Sequence, residues 1–157
     1  MIKYIFSLTI IFSASLCAAQ IQGHVIRVLD GDTLEILQDK KPVRVRLANI
    51  DAPEKKQPFG RWSATQLKDL VAGKPVTVQY AQTDRYGRIL GRVYTADGTE
   101  ANRWQVRNGA AWVYPDYNND YTLPPLQRDA RALKRGLWAD KNPVPPCCLL
   151  YTSDAAD

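Results

Sequence analysis

Apolar and polar residues alternate along several short stretches of the chain. In Pro42–Ile50 the side chains of Val43, Val45 and Leu47 fall on one face and the intervening arginines fall on the other. Alternation with a period of two is typical of a strand with one buried face. The same pattern predicts five strands, over Gly23–Leu29, Thr33–Leu37, Pro42–Ile50, Pro75–Tyr80 and Ile89–Tyr94.

Other stretches have the signals of helices. Gly60–Val71 carries apolar residues at helical spacing and is followed by Gly73, while a short helix is predicted over Glu100–Arg107 before a glycine. A last helix is predicted over Leu126–Lys134. Five short strands, with a helix between the third and the fourth, favour an α+β fold, namely a partly open barrel of the oligonucleotide-binding type with about three helices.

The two ends of the chain differ from this pattern. Residues 1–19 combine Lys3, an apolar stretch and a Cys-Ala-Ala exit, which is typical of a cleaved secretory signal peptide. We therefore expect a secreted or periplasmic protein that keeps no membrane segment. A lipoprotein signal is disfavoured because bulky Leu16 precedes Cys17. An N-terminal anchor or a buried helix is the remaining alternative.

The C-terminal end is Pro-rich over residues 142–146 and closes with a string that shares no pattern with the rest of the chain. From Cys148 onward it resembles the translation of a transposon adapter used in sequencing libraries, so we interpret residues 142–157 as a Pro-rich end and a non-native tail. A short natural tail is the alternative. One working domain is then expected over residues 20–141.

Composition and charge fit a single globular domain with an anionic partner. The chain has 157 residues, of which 45% are hydrophobic and 24% are charged. Residues 20–146 carry 20 Lys+Arg against 14 Asp+Glu, and all three cysteines lie outside that segment. A basic balance alone does not distinguish nucleic acid from a membrane surface. The domain needs no disulfide, even though export would place it in an oxidising compartment.

Four acidic residues lie in two turns. Asp30 and Asp32 flank Gly31, whereas Asp51 and Glu54 follow the third predicted strand. Either pair alone is explained by the usual preference of aspartate, glycine and proline for the turns that connect strands. If the two turns converge, however, their carboxylates would suit a hard cation such as calcium, which prefers oxygen ligands.

Two arginines complement these acids. Arg46 and Arg88 can be explained as solvated residues on strand faces, like Arg44 and Arg92 beside them. A phosphodiester reaction, however, needs cations around a phosphoryl group whose charge redistributes in the transition state. A guanidinium suits that role because it stays charged and donates paired hydrogen bonds to phosphate oxygens.

At this point the residues match a known family. The order and spacing of several motifs resemble the staphylococcal (thermonuclease) nuclease family across nearly all of residues 23–139. The motifs are Asp30-Gly31-Asp32-Thr33, Arg46-Leu47 with Ile50-Asp51-Ala52-Pro53-Glu54, Asp84-Arg85-Tyr86-Gly87-Arg88, Asn102, and Gly109 to Tyr114. One of these motifs would be weak evidence, whereas several in series are specific.

The resemblance implies a calcium-dependent phosphodiesterase on an oligonucleotide-binding barrel, which cleaves DNA and RNA and leaves 3′-phosphates. By position, the metal would be held by the carboxylates of Asp32 and Asp51 and the backbone carbonyl of Ala52, with Asp30 supporting the turn. The remaining implied roles are general base or water orientation for Glu54, phosphate binding for Arg46 and Arg88, and substrate contacts for Arg85, Tyr86, Trp112 and Tyr114.

The chain departs from the family pattern in two places. Ala52 stands where the best-known member has threonine, which matters little if only the carbonyl is used. The loop after Glu54 is short, and Lys55 and Lys56 are its only lysines. Substrate affinity is therefore expected to differ.

The sequence also limits the choice of base. His24 is the only histidine and lies at the start of the first predicted strand, which disfavours histidine-metal and histidine-pair nucleases, so a carboxylate must act as the base, and Glu54 is the candidate. Trp112 can equally be explained as a core residue. The alternative function is a non-catalytic nucleic-acid-binding barrel, which would not need acids near phosphate. We expect DNA and RNA as partners, and a monomer.

Overall fold

The computed structural model describes residues 18–146, which form a closed barrel with helices at its ends. The barrel has the strand order β1-β2-β3-β6-β5, in which the strands are β1 Ala19–Asp30, β2 Thr33–Gln38, β3 Lys41–Leu47, β5 Pro75–Thr83 and β6 Ile89–Thr95. A separate two-stranded sheet joins β4 (Ile50–Asp51) to β7 (Trp112–Val113).

Three helices and one short 3₁₀ turn complete the fold. They are α1 Gly60–Val71, α2 Ala101–Arg107, α3 Leu123–Ala132 and the 3₁₀ turn Gly136–Ala139. The five-stranded α+β barrel with three helices that the sequence predicts is thus confirmed. In the described part of the chain, no helix is long and apolar enough to cross a membrane.

The barrel closes through the only parallel pairing among its described strands. β3 and β6 run side by side with Val45 opposite Ile89 and Arg46 opposite Leu90, whereas every other neighbouring pair is antiparallel. In a parallel pair, opposite residues point to the same side of the sheet, and residues two apart on one strand do likewise. Arg46 on β3 therefore shares a face with Arg88, the residue just before β6.

The barrel interior and the adjoining helix faces form the main core. Inward-facing residues of every barrel strand, such as Ile36, Val45 and Val78, are fully buried, and Leu67 and Val71 of α1 pack against them. A second, smaller cluster consists of Trp112, Ala130, Leu137 and Trp138. This second cluster fixes α3 and the 3₁₀ turn against β7.

A buried asparagine ties α2 to the closing strands. The amide nitrogen of Asn102 donates to the carbonyls of Ala48 (2.9 Å) and Gly91 (3.1 Å), and its amide oxygen accepts from the N–H of Val93 (3.2 Å). Because Asn102 is fully buried, these bonds satisfy polar groups that water does not reach. They hold the end of β3 and the middle of β6 in a fixed relation.

Several element boundaries differ from the sequence prediction, and three of these differences have a clear physical reason. β1 begins at Ala19 rather than Gly23, because residues 19–24 pair with β5. The strand predicted to run to Ile50 is broken after Leu47, since Asn49 adopts a left-handed conformation (φ 69°) before β4. The last helix spans Leu123–Ala132 rather than Leu126–Lys134, because prolines are tolerated in a first helical turn.

Candidate active site

The turn between β1 and β2 is clamped onto α1 and α2. A Cβ added at Gly31 would lie 1.8 Å from the Oγ of Ser63, so only glycine allows this approach. The fully buried Gln105 of α2 donates its amide to the carbonyls of Gly31 (2.6 Å) and Ser63 (3.1 Å). The acidic residues that flank Gly31 are consequently held in a rigid position.

Asp32 is buried and fully engaged. Only 5% of the residue is exposed, and its Oδ2 accepts a hydrogen bond from the N–H of Ala52 at 2.7 Å. Its Oδ1 accepts from the hydroxyl of Thr33 at 2.8 Å, and the Nη1 of Arg46 lies 3.1 Å from Oδ2. The two acidic turns that are 20 residues apart in sequence therefore meet directly.

Arg46 bridges these two turns. Its Nη2 donates to the Oδ1 of Asp51 at 3.0 Å, while its Nη1 donates to the carbonyl of Ile50 at 3.1 Å and pairs with Asp32. The side chain is only 17% exposed. One guanidinium thus joins a carboxylate of the turn between β1 and β2 to a carboxylate of β4. We call Arg46, Asp32 and Asp51 the arginine–carboxylate cluster.

Arg88 is held by the turn that precedes it. Its Nε donates to the Oδ2 of Asp84 at 2.7 Å, and its own N–H donates to Oδ1 of the same carboxylate at 3.0 Å. Burial alone would raise the pKa of Asp84, but these bonds and the N–H of Tyr86 lower it below its ordinary value. Asp84 therefore stays charged and orients Arg88.

Both arginines line one cleft of about 900 Å³. Its walls also include Arg85, Tyr86 and Tyr114. Tyr86 is 71% exposed, and the guanidinium carbons of Arg85 and Arg88 lie 5.3 and 5.5 Å from the centre of its ring. Tyr114 and Tyr117 also line the cleft and stack on each other with ring centres 4.9 Å apart. The cleft is cationic and aromatic.

Trp112 and Glu54 lie elsewhere. Trp112 is 9% exposed and packs against Trp138 with ring centres 4.3 Å apart, so it belongs to the second core cluster and not to the cleft lining. Glu54 is exposed on the loop before α1, where its N–H donates to the Oε1 of Gln57 at 2.9 Å. Within residues 18–146, no hydrogen bond or ion pair joins the Glu54 carboxylate to the arginine–carboxylate cluster.

The cluster carries excess negative charge. Asp30 adds a third carboxyl group beside Asp32, and its Oδ1 is buried without a hydrogen-bond partner among the described residues. Burial raises the pKa of Asp30 from 3.8 to about 6, and the charge of Asp32 is the next cause of the rise. A single guanidinium leaves this group of carboxylates undercompensated.

The side chains at this site supply only some of the ligands that a metal ion would need. The buried carboxylate oxygens and the unpartnered oxygen of Asp30 match the chemistry of a hard cation. However, the described residues contain no group of three or more His, Cys, Asp or Glu side chains that is arranged to hold a metal ion. Any cation here would need further oxygen ligands from the backbone or water.

Asn49 and Gln105 were not predicted as site residues, yet both shape the site without touching its centre. The Asn49 carbonyl accepts from the N–H of Tyr114 (2.9 Å), and its side chain accepts from the N–H of Asn119 (3.1 Å). An asparagine directly after an alternating strand is a signal for a left-handed break. Gln105 has only a weak signal in the sequence: it is an uncharged polar residue between Trp104 and Val106 on a short helix.

The closed barrel and its cationic cleft define a protein of the oligonucleotide-binding class. A family model described as "Staphylococcal nuclease homologue" matches residues 44–140. The chain is 60% identical over 144 residues to an "Uncharacterized endonuclease" of Escherichia coli, which covers 92% of this chain and 94% of the relative. It is 39% identical to a "Micrococcal nuclease" of Shigella flexneri, which covers 82% and 79% of the two chains.

The chain belongs to the staphylococcal nuclease family. The family match spans more than half of the chain and includes the end of β3 with Arg46, the loop with Glu54 and the turn with Arg88. This confirms the resemblance stated from the motifs and identifies the protein as a member of a family of nucleases.

Asp30 gives the site a testable dependence on pH. Its pKa is about 6 in the folded state against an ordinary 3.8, so its contribution to stability is present below about pH 3.8 and is lost as the pH rises through 6. Asp30→Asn keeps a group that can donate to Asp32 but carries no charge. We expect this variant to be more stable than the parent at neutral pH, with the difference shrinking towards about pH 4.

The measurement is the free energy of unfolding by urea, in the presence of chelator, for both proteins across this range of pH. Asp140→Asn, which changes an exposed aspartate outside the site, is the control. A difference between the Asp30 variant and the parent that does not vary with pH would contradict this assignment.

Proposed function

We propose that this protein is an exported, calcium-dependent nuclease that hydrolyses phosphodiester bonds of DNA and RNA with little sequence specificity and leaves 3′-phosphates. Family membership supports the reaction class. The observation that carries the proposal is the guanidinium of Arg46, which bridges Asp32 and Asp51 on a cleft that Arg88 also lines. This arrangement combines groups for a cation and groups for a phosphate.

The two arginines would bind the phosphoryl group. A guanidinium has five N–H donors, so Arg46 can keep its carboxylate partners and still donate to a phosphate oxygen. Arg88 faces the same cleft and is oriented by Asp84 at 2.7 Å. Charge that develops on the phosphoryl oxygens in the transition state would then meet donors that are already in place.

Calcium would be held by the carboxylates of Asp32 and Asp51 and by the carbonyl of Ala52. A bound calcium ion would supply Lewis-acid polarisation of a phosphoryl oxygen. The unpartnered Oδ1 of Asp30 and the uncompensated charge around it support a cation in this region. Since calcium takes six to eight oxygen ligands, water would complete the set.

Glu54 would orient the attacking water and accept its proton. The oxygen of this water forms the new bond to phosphorus, and the bond to the 5′ oxygen breaks, which leaves the phosphate on the 3′ side. The only histidine, His24, is exposed on β1 in register with Leu37 and is no competitor for the role. The exposed position of the Glu54 loop allows its side chain to turn towards the cleft when substrate binds.

The nucleotide bases would be held by stacking rather than by sequence readout. Tyr86 with its two arginines lines the cleft, and so does Tyr114 stacked on Tyr117. Stacking on aromatic rings is worth about 1–3 kcal/mol per base and tolerates every base. Arg85 would contact a neighbouring phosphate. Trp112 would act indirectly, by supporting β7.

Export rests on the sequence alone. The predicted signal peptide over residues 1–19 falls almost entirely outside the described residues. The tail over residues 147–157 also falls outside them. We propose that the mature protein acts as a monomer in the periplasm or outside the cell, where DNA and RNA are its substrates.

Calcium is expected to switch cleavage on. Plasmid DNA and total RNA incubated with the purified protein and calcium should both be degraded, and excess chelator should stop the reaction. Gel electrophoresis measures the loss of intact substrate, and end-labelling of the products identifies 3′-phosphates. Tight binding without degradation in either condition would instead identify a non-catalytic nucleic-acid-binding barrel.

Arg46→Lys should lower kcat by about 10²-fold or more, because lysine keeps the charge but loses the fork that spans two carboxylates and a phosphate. Arg44→Lys is the matched control, since Arg44 lies two residues away on the same strand and pairs with Glu35 at 2.9 Å. The control should stay within about twofold of the parent, because Arg44 does not line the cleft, lysine keeps the charge beside Glu35, and Arg27 still pairs with Glu35. Equal losses in both variants, measured by initial rates on DNA, would contradict the role of Arg46.

Glu54→Ala should lower the rate of cleavage by about 10²–10⁴-fold while the protein keeps its fold, since a positioned base contributes that much. Its N–H bond to Gln57 does not depend on the side chain, so the loop should be retained. Asp69→Ala, on the exposed surface of α1, is the control. Initial rates and circular dichroism measure the two effects, and an active Glu54→Ala protein would remove Glu54 from the mechanism.

A further inference from the structure

A second groove, of about 520 Å³, lies between β1 and α1 and shares no lining residue with the cleft. Every charged residue of its lining is a cation: Arg27, Lys55, Arg61 and Lys68. Its remaining lining is small or apolar apart from Thr65. We call this surface the α1 groove. The site described above makes no use of it.

One face of α1 forms the wall of the α1 groove. Arg61, Ala64, Thr65 and Lys68 line it, and their spacing of three or four residues places them on the same side of a helix. Arg61, Thr65 and Lys68 are exposed. At a rise of about 1.5 Å per residue, the Cα atoms of Arg61 and Lys68 lie about 10 Å apart along the helix axis. The phosphates of one strand of a DNA duplex rise by about 3.4 Å per nucleotide along the duplex axis, so this distance covers about three such steps when the groove runs along the duplex.

Most of these cations have no ion-pair partner within residues 18–146. Arg27 pairs with Glu35 at 2.8 Å. By contrast, Lys55, Arg61 and Lys68 form no ion pair with any described residue. The ammonium group of Lys55 only donates to the carbonyl of Val28 at 3.4 Å. The groove therefore favours an anion with several negative charges.

The α1 groove adjoins the loop that carries Glu54. Lys55 follows Glu54 directly, and the N–H of Gln57 donates to the Glu54 carbonyl at 2.8 Å, which folds the loop back tightly. A Cβ added at Gly60 would lie 1.8 Å from that same carbonyl. Arg61 comes next, so the groove begins where the candidate base is attached.

We propose that the α1 groove binds the backbone phosphates of a nucleic-acid substrate at nucleotides beyond the one in the cleft. The proposal rests on the proposed function, because the polyanion is the substrate of that site. The groove is continuous with the Glu54 loop, and its cation spacing matches a phosphate backbone. A long substrate would then gain affinity that a dinucleotide does not have.

The test measures binding of a DNA duplex of about 20 base pairs by fluorescence anisotropy, in chelator and over a range of salt. For each lost phosphate contact, the slope of log affinity against log salt falls by about 0.9 on duplex DNA. Arg61→Gln/Lys68→Gln should lower the slope by about 1.8 and weaken binding. The control Lys41→Gln/Arg128→Gln removes two exposed cations outside the groove and should change the slope much less.

A gain-of-charge variant tests the groove without removing any of its native cations, and it loses only the hydrogen bond from the Thr65 hydroxyl to the Arg61 carbonyl (3.0 Å). Thr65→Lys places a further cation between Arg61 and Lys68 and should steepen the slope by about 0.9. A misfolded protein would not bind DNA more tightly. Unchanged slopes in the Thr65 variant, or equal losses in the groove and control pairs, would overturn the proposal.

Cleavage assays separate this proposal from the proposed function. With calcium, the groove pair should lose more activity on the long duplex than on a dinucleotide, as a rise in KM. If neither the parent nor the variants cleave either substrate, the proposed function is wrong. The salt dependence of DNA binding then still shows whether the α1 groove contacts phosphates. If the groove pair loses binding to vesicles of anionic lipid but keeps its DNA slope, the groove is a membrane contact and the proposal is overturned.

Discussion

The site depends on one ion-paired guanidinium that is largely buried at the edge of the cleft. Arg46 lies within 3.1 Å of Asp32 and 3.0 Å of Asp51, and its side chain is only 17% exposed. These carboxylates belong to different turns, so the bridge fixes the β1–β2 turn relative to β4. Removing one partner of a buried pair leaves an uncompensated charge, which costs several kcal/mol. The position of Arg46 therefore determines the geometry of both acidic turns.

The topology explains why the second arginine reaches the same cleft. Parallel pairing sets Arg46 opposite Leu90, and Arg88 lies two residues before Leu90 on the same side. Asn102 fixes this closing pair, since it joins Ala48 after β3 to Gly91 and Val93 of β6. Two guanidiniums separated by more than 40 residues in sequence are thus placed by barrel closure, and not by any local motif.

Local signals in the sequence predicted most of the elements and the members of the cluster. The bounds of α1 were predicted residue for residue, because helical spacing and the following glycine act within a few residues. The break at Asn49 and the start of α3 at Leu123 depend on tertiary contacts and on tolerated prolines, and these were missed. The sequence could not show that Trp112 is covered by Trp138, since that contact joins β7 to the 3₁₀ turn.

The charges near the cleft and on α1 are segregated, with a small group of carboxylates surrounded by a basic surface. Burial is the main reason that the pKa of Asp30 is raised, and the charge of Asp32 raises it further. Gln105 and the close approach of Gly31 to Ser63 hold the turn that carries both acids against α1 and α2. A compact negative centre inside a basic surface combines groups that suit a cation with groups that suit a polyanion. Catalysis by the staphylococcal nuclease family fold would need both, and the cations of α1 would extend the attraction along the strand.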